Sequence, residues 1–206
     1  MLHILTQYSD INPQAWDALA EQSTRATWFQ TREAYGFYSS LPQEMIPFVF
    51  GAEENGVLVG IAAGYITRER NAIRQFFTRR AIILGGVLLD EYISDETLSL
   101  LLTTIRKQLG TKAIYIELRN LYDYSHWKAV FAAQGFDYVP HLNFQVNCTD
   151  KTAVLAHMKS NRRRQIRKGF AHGAYIAEAQ SESDVTVLCH SPRPVSAQGE
   201  DSTAFY

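Results

Sequence analysis

In the first part of the chain, the spacing of hydrophobic positions changes several times between the pattern typical of strands and the pattern typical of helices. Residues 2–6 form a short apolar run that predicts a strand. Asn12 before Pro13 is a favourable start for a helix, and apolar side chains then recur three and four positions apart. A second helix is predicted over 32–41, because Pro42 cannot continue it. The chain therefore opens with one strand and two helices.

A β-hairpin is the clearest local prediction for the next segment. Two apolar runs, 46–54 and 57–67, flank Asn55 and Gly56. Asparagine and glycine tolerate the positive φ angles that a type I′ turn requires, and this turn joins antiparallel strands tightly. The two runs are therefore expected to pair with each other.

The hairpin is followed by a charged connection and then by a buried strand. Residues 68–80 contain five arginines, whereas 81–90 are apolar apart from Gly85, Gly86 and the final aspartate. Paired glycines interrupt a strand for one of two reasons: they form a bulge, or they let a substrate approach the backbone closely. Both interpretations stay open from the sequence.

Caps and periodicity define the remaining elements of this part of the chain. Ser94 is suited to cap a helix that has an acidic first turn and one apolar stripe, and Gly110 is expected as its C′ residue. Gly135 is expected to end a later helix. The predicted elements are, in chain order, a helix over 95–109, a strand over 112–120, a helix over 125–134 and a strand over 136–147.

Composition narrows the class of protein. The 206 residues have a formal net charge of -1 and are 46% hydrophobic, which is typical of a soluble globular protein. No apolar run approaches the ~20 residues that span a bilayer, so no stable membrane insertion and a cytoplasmic location are expected. Cys148 and Cys189 alone make neither a disulfide framework nor a zinc site. No metal and no cofactor are expected.

A second unit is predicted to begin near residue 148. Residues 148–189 contain a helical segment, a run rich in arginine and a short strand over 174–179. Residues 190–206 combine Pro, Ser, Gly and charge without apolar periodicity. The predicted organisation is a first domain over 1–147, the start of a second over 148–189 and an unstructured tail over 190–206.

The basic run is the most distinctive feature of the second unit. On a helix, at about 100° per residue, most of its cations lie on one face, away from Ile166 and Phe170. Arg162 lies nearer the apolar side and is expected to pair with a carboxylate or to line a cleft. The basic face could bind a polyanion, either a tRNA backbone or a nucleotide-linked diphosphate, or it could be an ordinary solvated surface. The five cations are Arg162, Arg163, Arg164, Arg167 and Lys168.

Five polar residues near the end of the first unit form a second candidate site. Glu117 and Arg119 share one face of their strand, and His141 and Asn143 share one face of the final strand. If these strands are neighbours, these four side chains converge and, with Asn120 as the fifth residue of the set, could line a pocket for a peptide or a sugar. The alternative is a structural ion pair with polar neighbours. His141 alone is a poor general base, because no carboxylate is in view to orient it, and no catalytic residue is assigned.

The order of the predicted elements resembles the GNAT acyltransferase fold over residues 2–147. The resemblance implies an α/β (α+β) fold with a mixed sheet, in which a glycine-lined loop before the helix at 95–109 holds the pyrophosphate of acyl-CoA. The corresponding loop here, LLDEYISDET at 88–97, has no glycine and contains four acidic residues. Acetyl-CoA binding by this domain is therefore not expected.

Several segments together resemble the Fem family of peptidoglycan bridge aminoacyltransferases and related GNAT-like acyltransferases. The resemblance covers an N-terminal GNAT-like domain and the truncated start of a second one. It implies direct attack of an amine on an activated ester, with the protein positioning the two reactants. The segments are TWFQT at 27–31, RAIILGGVLLDE at 80–91, YIELRN at 115–120, GFDYVPHLNF at 135–144 and the Arg/Lys helix at 161–168.

Three functions are compatible with this resemblance. The first is an acyl or aminoacyl transferase that modifies a cell-wall precursor, with aminoacyl-tRNA or a nucleotide- or lipid-linked precursor as partner. The second is an acyl-CoA N-acyltransferase that acts on a polysaccharide or lipid precursor. The third is a non-catalytic module that binds the acceptor.

Overall fold

The structure is a computed structural model that describes residues 1–69, 71, 75, 77–142, 144, 146–176, 178, 180, 181 and 183. The chain divides into two compact units, Met1–Asn143 and Phe144–Tyr206. The predictions made for Asn143, for Cys189 and for a tail over 190–206 lie outside the described residues.

The first unit contains the helices and strands that the sequence predicts as far as residue 134. Side chains cap its longer helices: Asn12, Thr31 and Ser94 each accept a hydrogen bond from an N–H group in the first turn. In chain order the elements are β1 (Leu2–Leu5), α1 (Pro13–Gln22), α2 (Arg32–Ser40), β2 (Met45–Glu54), β3 (Val57–Thr67), β4 (Arg80–Gly85), β5 (Leu88–Leu89), α3 (Asp95–Leu109), β6 (Tyr115–Asn120) and α4 (Lys128–Ala133).

The strands of the first unit form one mixed sheet. Its order is β1-β2-β3-β4-β6, and β5 pairs with β3 beside this path. Neighbours from β1 to β4 are antiparallel, whereas β4 and β6 are parallel and α3 connects them. This is the α/β, mixed-sheet arrangement that the GNAT resemblance implies, so the prediction of the fold class is confirmed.

The hairpin prediction is also confirmed. β2 and β3 pair along their length and are joined at Asn55 and Gly56, whose φ angles are 51° and 82°. Both values lie in the left-handed region that a type I′ turn requires at its two central positions. The turn dipeptide therefore sets the register of the two longest strands.

Two apolar clusters pack on opposite faces of the sheet. Val49 and Phe50 are consecutive on β2 and belong to different clusters, as the alternation of side chains along a strand requires. Burying a leucine or isoleucine side chain contributes about 1.5–3 kcal/mol, so the helices that cover the two faces supply much of the stability. The buried helix residues include Leu98, Leu101, Leu102 and Ile105 of α3 and Trp16 and Leu19 of α1.

Three predictions of local structure are wrong. Residues 137–142 form no strand, and Leu142 and Phe144 are 88% and 84% exposed. An alternating pattern forms a stable strand only where a neighbouring strand can pair with it. Residues 174–176 form no strand either. Gly110 has a φ of -61°, so it caps α3 in the right-handed region and is not a left-handed C′ residue.

The described part of the second unit consists chiefly of two helices, α5 (Lys151–His157) and α6 (Ser160–Ala171). The carboxylate of Asp150 accepts a hydrogen bond from the N–H of Thr152 and caps α5. No side chain of either helix is buried, and Phe170 is 56% exposed. The basic run therefore forms the predicted helix, but its apolar face is not buried in the described part of the chain.

Candidate functional site: the fork between β4 and β6 and the basic helix

The sheet divides where β4 and β6 end. Gly85 lies opposite Asn120 in the last pair of the parallel ladder, and Gly86 then leads the chain to β5, which pairs with β3. Both glycines have positive φ angles, 78° and 80°. On this edge of β3, the five residues 83–87 lie opposite only the three residues 62–64. The glycine pair therefore forms a bulge, and we call the region of Gly85, Gly86 and Asn120 the fork.

Gln30 holds the backbone of the fork from the segment that precedes α2. Its side chain is fully buried, and its Nε2 donates to the carbonyl oxygens of Gly85 at 3.0 Å and Gly86 at 3.1 Å. Its Oε1 accepts a hydrogen bond from the N–H of Thr27 at 2.8 Å. These bonds satisfy polar groups that the bulge leaves outside the regular ladder. Gln30 is thus a core residue that positions the fork.

Asn120 is the polar residue of the fork whose hydrogen bonding is incomplete. Its Oδ1 is buried and has no hydrogen-bond partner in the part of the chain that the structure describes. Gly86 lies directly against this oxygen, so that a Cβ at position 86 would overlap it. A buried acceptor without a partner costs about 1–3 kcal/mol, and such atoms in native proteins require an explanation. Asn120 therefore carries a buried acceptor oxygen that the described residues leave unsatisfied at the fork.

Tyr124 connects the two segments that separate at the fork, the one that follows β4 and the one that follows β6. Its hydroxyl donates to the carbonyl oxygen of Val87 at 2.7 Å, and burial raises its pKa to about 12, so the phenol stays neutral. Tyr124 is absent from the residues that the sequence singles out. Its hydrogen-bond partner is 37 positions away, and no local pattern marks such a pair.

Glu117 and Arg119 lie on one face of β6, as the sequence predicts. The Nε of Arg119 donates to Oε1 of Glu117 at 2.7 Å, and this bond holds the pKa of Arg119 above its ordinary value. Ile116 and Leu118, on the opposite face, pack against the core. The Arg119 side chain is 49% exposed, so the pair contributes little to stability. It forms a fixed, charged surface next to the fork.

The structure does not place the other two predicted members of this set on a neighbouring strand. His141 is exposed and lies in a segment without strand structure, so the geometric basis for its convergence with Glu117 is wrong. Asn143 lies outside the described residues. Glu117 and Arg119 remain as the predicted residues that β6 brings together on one face, and Asn120 lies on the opposite face at the end of the strand.

The N-terminus of α3 already has a carboxylate bound to it. Oε1 of Glu54 accepts hydrogen bonds from the N–H of Ser94 at 2.9 Å and from its hydroxyl at 2.7 Å. The hydroxyl of Thr97, and after it the hydroxyl and N–H of Ser94, hold the pKa of Glu54 below its ordinary value. Asp90 accepts a further hydrogen bond from the N–H of Tyr92. An incoming pyrophosphate would therefore meet negative charge at this helix end.

Three cations of α6 are exposed and have no carboxylate partner among the described residues. They are Arg164, Arg167 and Lys168, and helix geometry places them within about 100° of one another around the axis. The guanidinium of Arg164 donates to the side chain of Asn161 at 3.0 Å. Lys168 also lines a shallow depression with Gln165, Gly169 and His172. We call Arg164, Arg167 and Lys168 the basic triad.

The other two cations of the run have local roles. Nη1 of Arg163 donates to the carbonyl oxygen of Leu155 in the last turn of α5, so Arg163 joins the two helices. Nη1 of Arg162 donates to Oε1 of Gln165 on its own helix, and Arg162 is exposed. The prediction that Arg162 pairs with a carboxylate or lines a cleft is wrong in the described part of the chain.

No cluster of three or more His, Cys, Asp or Glu side chains suited to a metal ion occurs within the described residues. Within the same residues, no helix has the length and the apolar character that a membrane crossing requires.

Several solved structures resemble this chain at low sequence identity. No protein-family model matches the chain, and no curated protein matches it. An aminoglycoside acetyltransferase from an uncultured soil metagenomic sample is 13% identical, with a TM-score of 0.48, and the match covers 71% of this chain and 97% of that one. Glucosamine-6-phosphate N-acetyltransferase from Arabidopsis thaliana is 11% identical, with a TM-score of 0.47 and coverage of 71% and 98%. The sheet order and connections of this chain establish its fold class by themselves.

Proposed function

We propose that this chain belongs to an aminoacyltransferase with a GNAT-like fold, which transfers an aminoacyl group from aminoacyl-tRNA to an amine of a nucleotide- or lipid-linked cell-wall precursor. The observation that carries the proposal is the placement of charge. Glu54 occupies the end of α3 at which a GNAT-like domain would bind acyl-CoA, whereas α6 presents the basic triad without carboxylate partners in the described residues. A polyanionic donor fits this distribution better than acyl-CoA does.

The basic triad supports a nucleic-acid donor through its geometry. Three cations on about one quarter of a helix surface can contact consecutive phosphates of one backbone. Residues 150–176 contain seven lysines and arginines and one acidic residue, in a chain whose formal net charge is -1. Attraction of an RNA backbone to this segment is therefore not cancelled by neighbouring acidic residues in the sequence.

The fork supports the acceptor half of the proposal. In the transfer, the amine nitrogen of the acceptor attacks the ester carbonyl carbon, a C–N bond forms, and the C–O bond to the ribose breaks. The ribose hydroxyl of the tRNA takes up the proton that the amine releases. Asn120 packs against Gly86, and Gln30 and Tyr124 bond to the backbone on either side of it, so these residues hold the surface beside the acceptor in place. The contribution of these residues is the positioning of reactants, and it needs no covalent enzyme intermediate.

The proposal is tested by transfer assays with the full chain. Aminoacyl-tRNA and a nucleotide-linked peptidoglycan precursor are the expected substrates, with acetyl-CoA as the comparison donor. We expect Asn120→Ala to lower transfer at least tenfold and to leave RNA affinity unchanged, because α6 is intact.

Two results would contradict the proposal. Transfer from acetyl-CoA but not from aminoacyl-tRNA would establish the acyl-CoA alternative. Binding of the precursor without transfer from either donor would establish a non-catalytic acceptor-binding module.

A further inference from the structure

The outer edge of β6 is an unpaired strand edge. β6 ends the sheet order, and its described neighbour is β4 alone. In β4, the N–H of Arg80 donates to Oγ1 of Thr67 in β3 at 3.0 Å and Ile82 pairs with Tyr65, so the even-numbered residues of β4 direct their backbone groups toward β3. Because these directions alternate, Ala81 and Ile83 direct their backbone groups toward β6, where the ladder register gives them Tyr115, Glu117 and Arg119 as partners. The N–H and C=O groups of Ile116 and Leu118 therefore point away from β4. In the described residues none of these groups has a backbone partner on the outer side.

An exposed edge of this kind is a template for another strand. We propose that β6 pairs in antiparallel orientation with β6 of a second copy of this chain, so that two first units share one continuous sheet. The proposal goes beyond the transferase function and does not depend on it. A second copy is favoured as the occupant because the edge is complementary to itself in charge.

The self-complementarity follows from the register. A symmetric antiparallel pair centred on Leu118 places Glu117 of each copy opposite Arg119 of the other, twice. Leu118, whose backbone groups point outward, then forms a hydrogen-bonded pair with Leu118 of the second copy, so the same register also forms the ladder. Opposite charges at directly opposed positions stabilise an antiparallel pair.

The two neighbouring symmetric registers are unfavourable. A shift of the centre to Glu117 places the two Glu117 carboxylates opposite each other, and a shift to Arg119 does the same with the two guanidinium groups. Like charges at directly opposed positions destabilise the pairing. The sequence of β6 therefore favours one register, in which a two-fold axis passes through Leu118.

Apolar side chains at the start of β6 agree with a covered edge. Ile114 and Tyr115 are 58% and 47% exposed. Leu118, which packs against the core, would face Leu118 of the second copy across the two-fold axis. The edge thus offers backbone groups, two ion pairs and apolar contacts to the same partner.

The test measures the mass of the full chain by sedimentation equilibrium between about 1 and 200 μM. We expect the parent to form a dimer of twice the 23.4 kDa chain mass. Glu117→Arg and Arg119→Glu, each alone, place like charges opposite each other at both positions and should weaken the dimer at least tenfold. An equimolar mixture of the two variants restores opposite charges at both positions and should form the mixed dimer.

Glu21→Arg is the matched control, because it makes the same charge change on α1 and should leave the dimer intact. Circular dichroism of each variant checks that it folds, and the mixing experiment separates a lost interface from a lost fold, since unfolded copies would not recover on mixing. A parent that is monomeric throughout the range would overturn the proposal. So would a dimer that single charge reversal leaves unchanged, or variants that fail to associate when mixed.

Discussion

The two units of this chain differ most in what they bury. In the first unit, the helices and the two faces of the sheet enclose two apolar clusters, and Gln30 satisfies the backbone of the fork inside them. In the second unit, neither α5 nor α6 buries a side chain. The first unit therefore draws its stability from its own packing, whereas the described part of the second leaves its charged and apolar side chains exposed. Substitutions should accordingly affect stability in the first unit and binding in the second.

The largest loss of stability is expected at Gln30. Gln30→Ala leaves the carbonyl groups of Gly85 and Gly86 and the N–H of Thr27 without partners in a buried site, so we expect a loss of about 2–4 kcal/mol in the free energy of unfolding. Urea denaturation measures it. Gln14→Ala, at an exposed position of α1, is the control and should change the free energy by less than about 0.5 kcal/mol. Equal effects of the two substitutions would contradict the account of the fork.

Two glycines should respond in opposite directions to the same substitution. Gly86→Ala puts a Cβ at a residue with a φ of 80° and against Asn120 Oδ1, so we expect a loss of about 1–3 kcal/mol. Gly36→Ala, in the exposed part of α2, meets nothing within 4 Å and should stabilise the first unit by about 0.5–1 kcal/mol. Thermal unfolding of both variants measures the pair. A stabilising Gly86→Ala would mean that the bulge is not constrained as described.

A smaller and pH-dependent effect is expected at Glu54. Its pKa is lowered in the folded protein, so its contribution to stability is complete above the ordinary value of 4.5 and is lost as the pH falls through the folded value. Glu54→Gln should therefore lower the free energy of unfolding by about 0.3–1 kcal/mol at pH 7. The difference from the parent should disappear once the pH has fallen below the folded pKa of Glu54, which lies below 4.5. A difference that persists there would show that the carboxylate charge is not the cause.

The smallest effects are expected in the second unit. Arg163→Gln removes the hydrogen bond to the Leu155 carbonyl and should cost about 0.5 kcal/mol locally, whereas Arg167→Gln removes no contact within the described residues. Hydrogen exchange of α6 amides in the full chain should be about twofold faster in the first variant and unchanged in the second. Equal exchange rates in the two variants would mean that Arg163 does not join the helices.

Much of the fold could be predicted because its signals are local. Asn55-Gly56, the caps at Asn12 and Ser94 and the stripe of α3 all act within a few residues. The strand predicted over 136–147 was wrong because an alternating pattern says nothing about whether a neighbouring strand is present. Local patterns thus predict elements better than they predict pairing.

The candidate site could be predicted only in part, for the same reason. Glu117 and Arg119 are two residues apart on one strand, so their shared face follows from the strand period. The roles of Gln30, Tyr124 and Glu54 depend on partners that are 37 to 56 positions away. No pattern within an element carries that information.

The most direct test of the account is RNA binding by the parent and by a triple variant in which Arg164, Arg167 and Lys168 are replaced by Gln. The affinity of the full chain for tRNA is measured at several salt concentrations, each time with and without CoA as a competitor. We predict that the slope of the logarithm of affinity against the logarithm of salt concentration shrinks by roughly 0.7–0.9 for each phosphate contact removed, that stability is unchanged, and that CoA does not compete. A triple variant that binds tRNA as the parent does, with the same slope, would contradict the assignment of the basic triad to the donor.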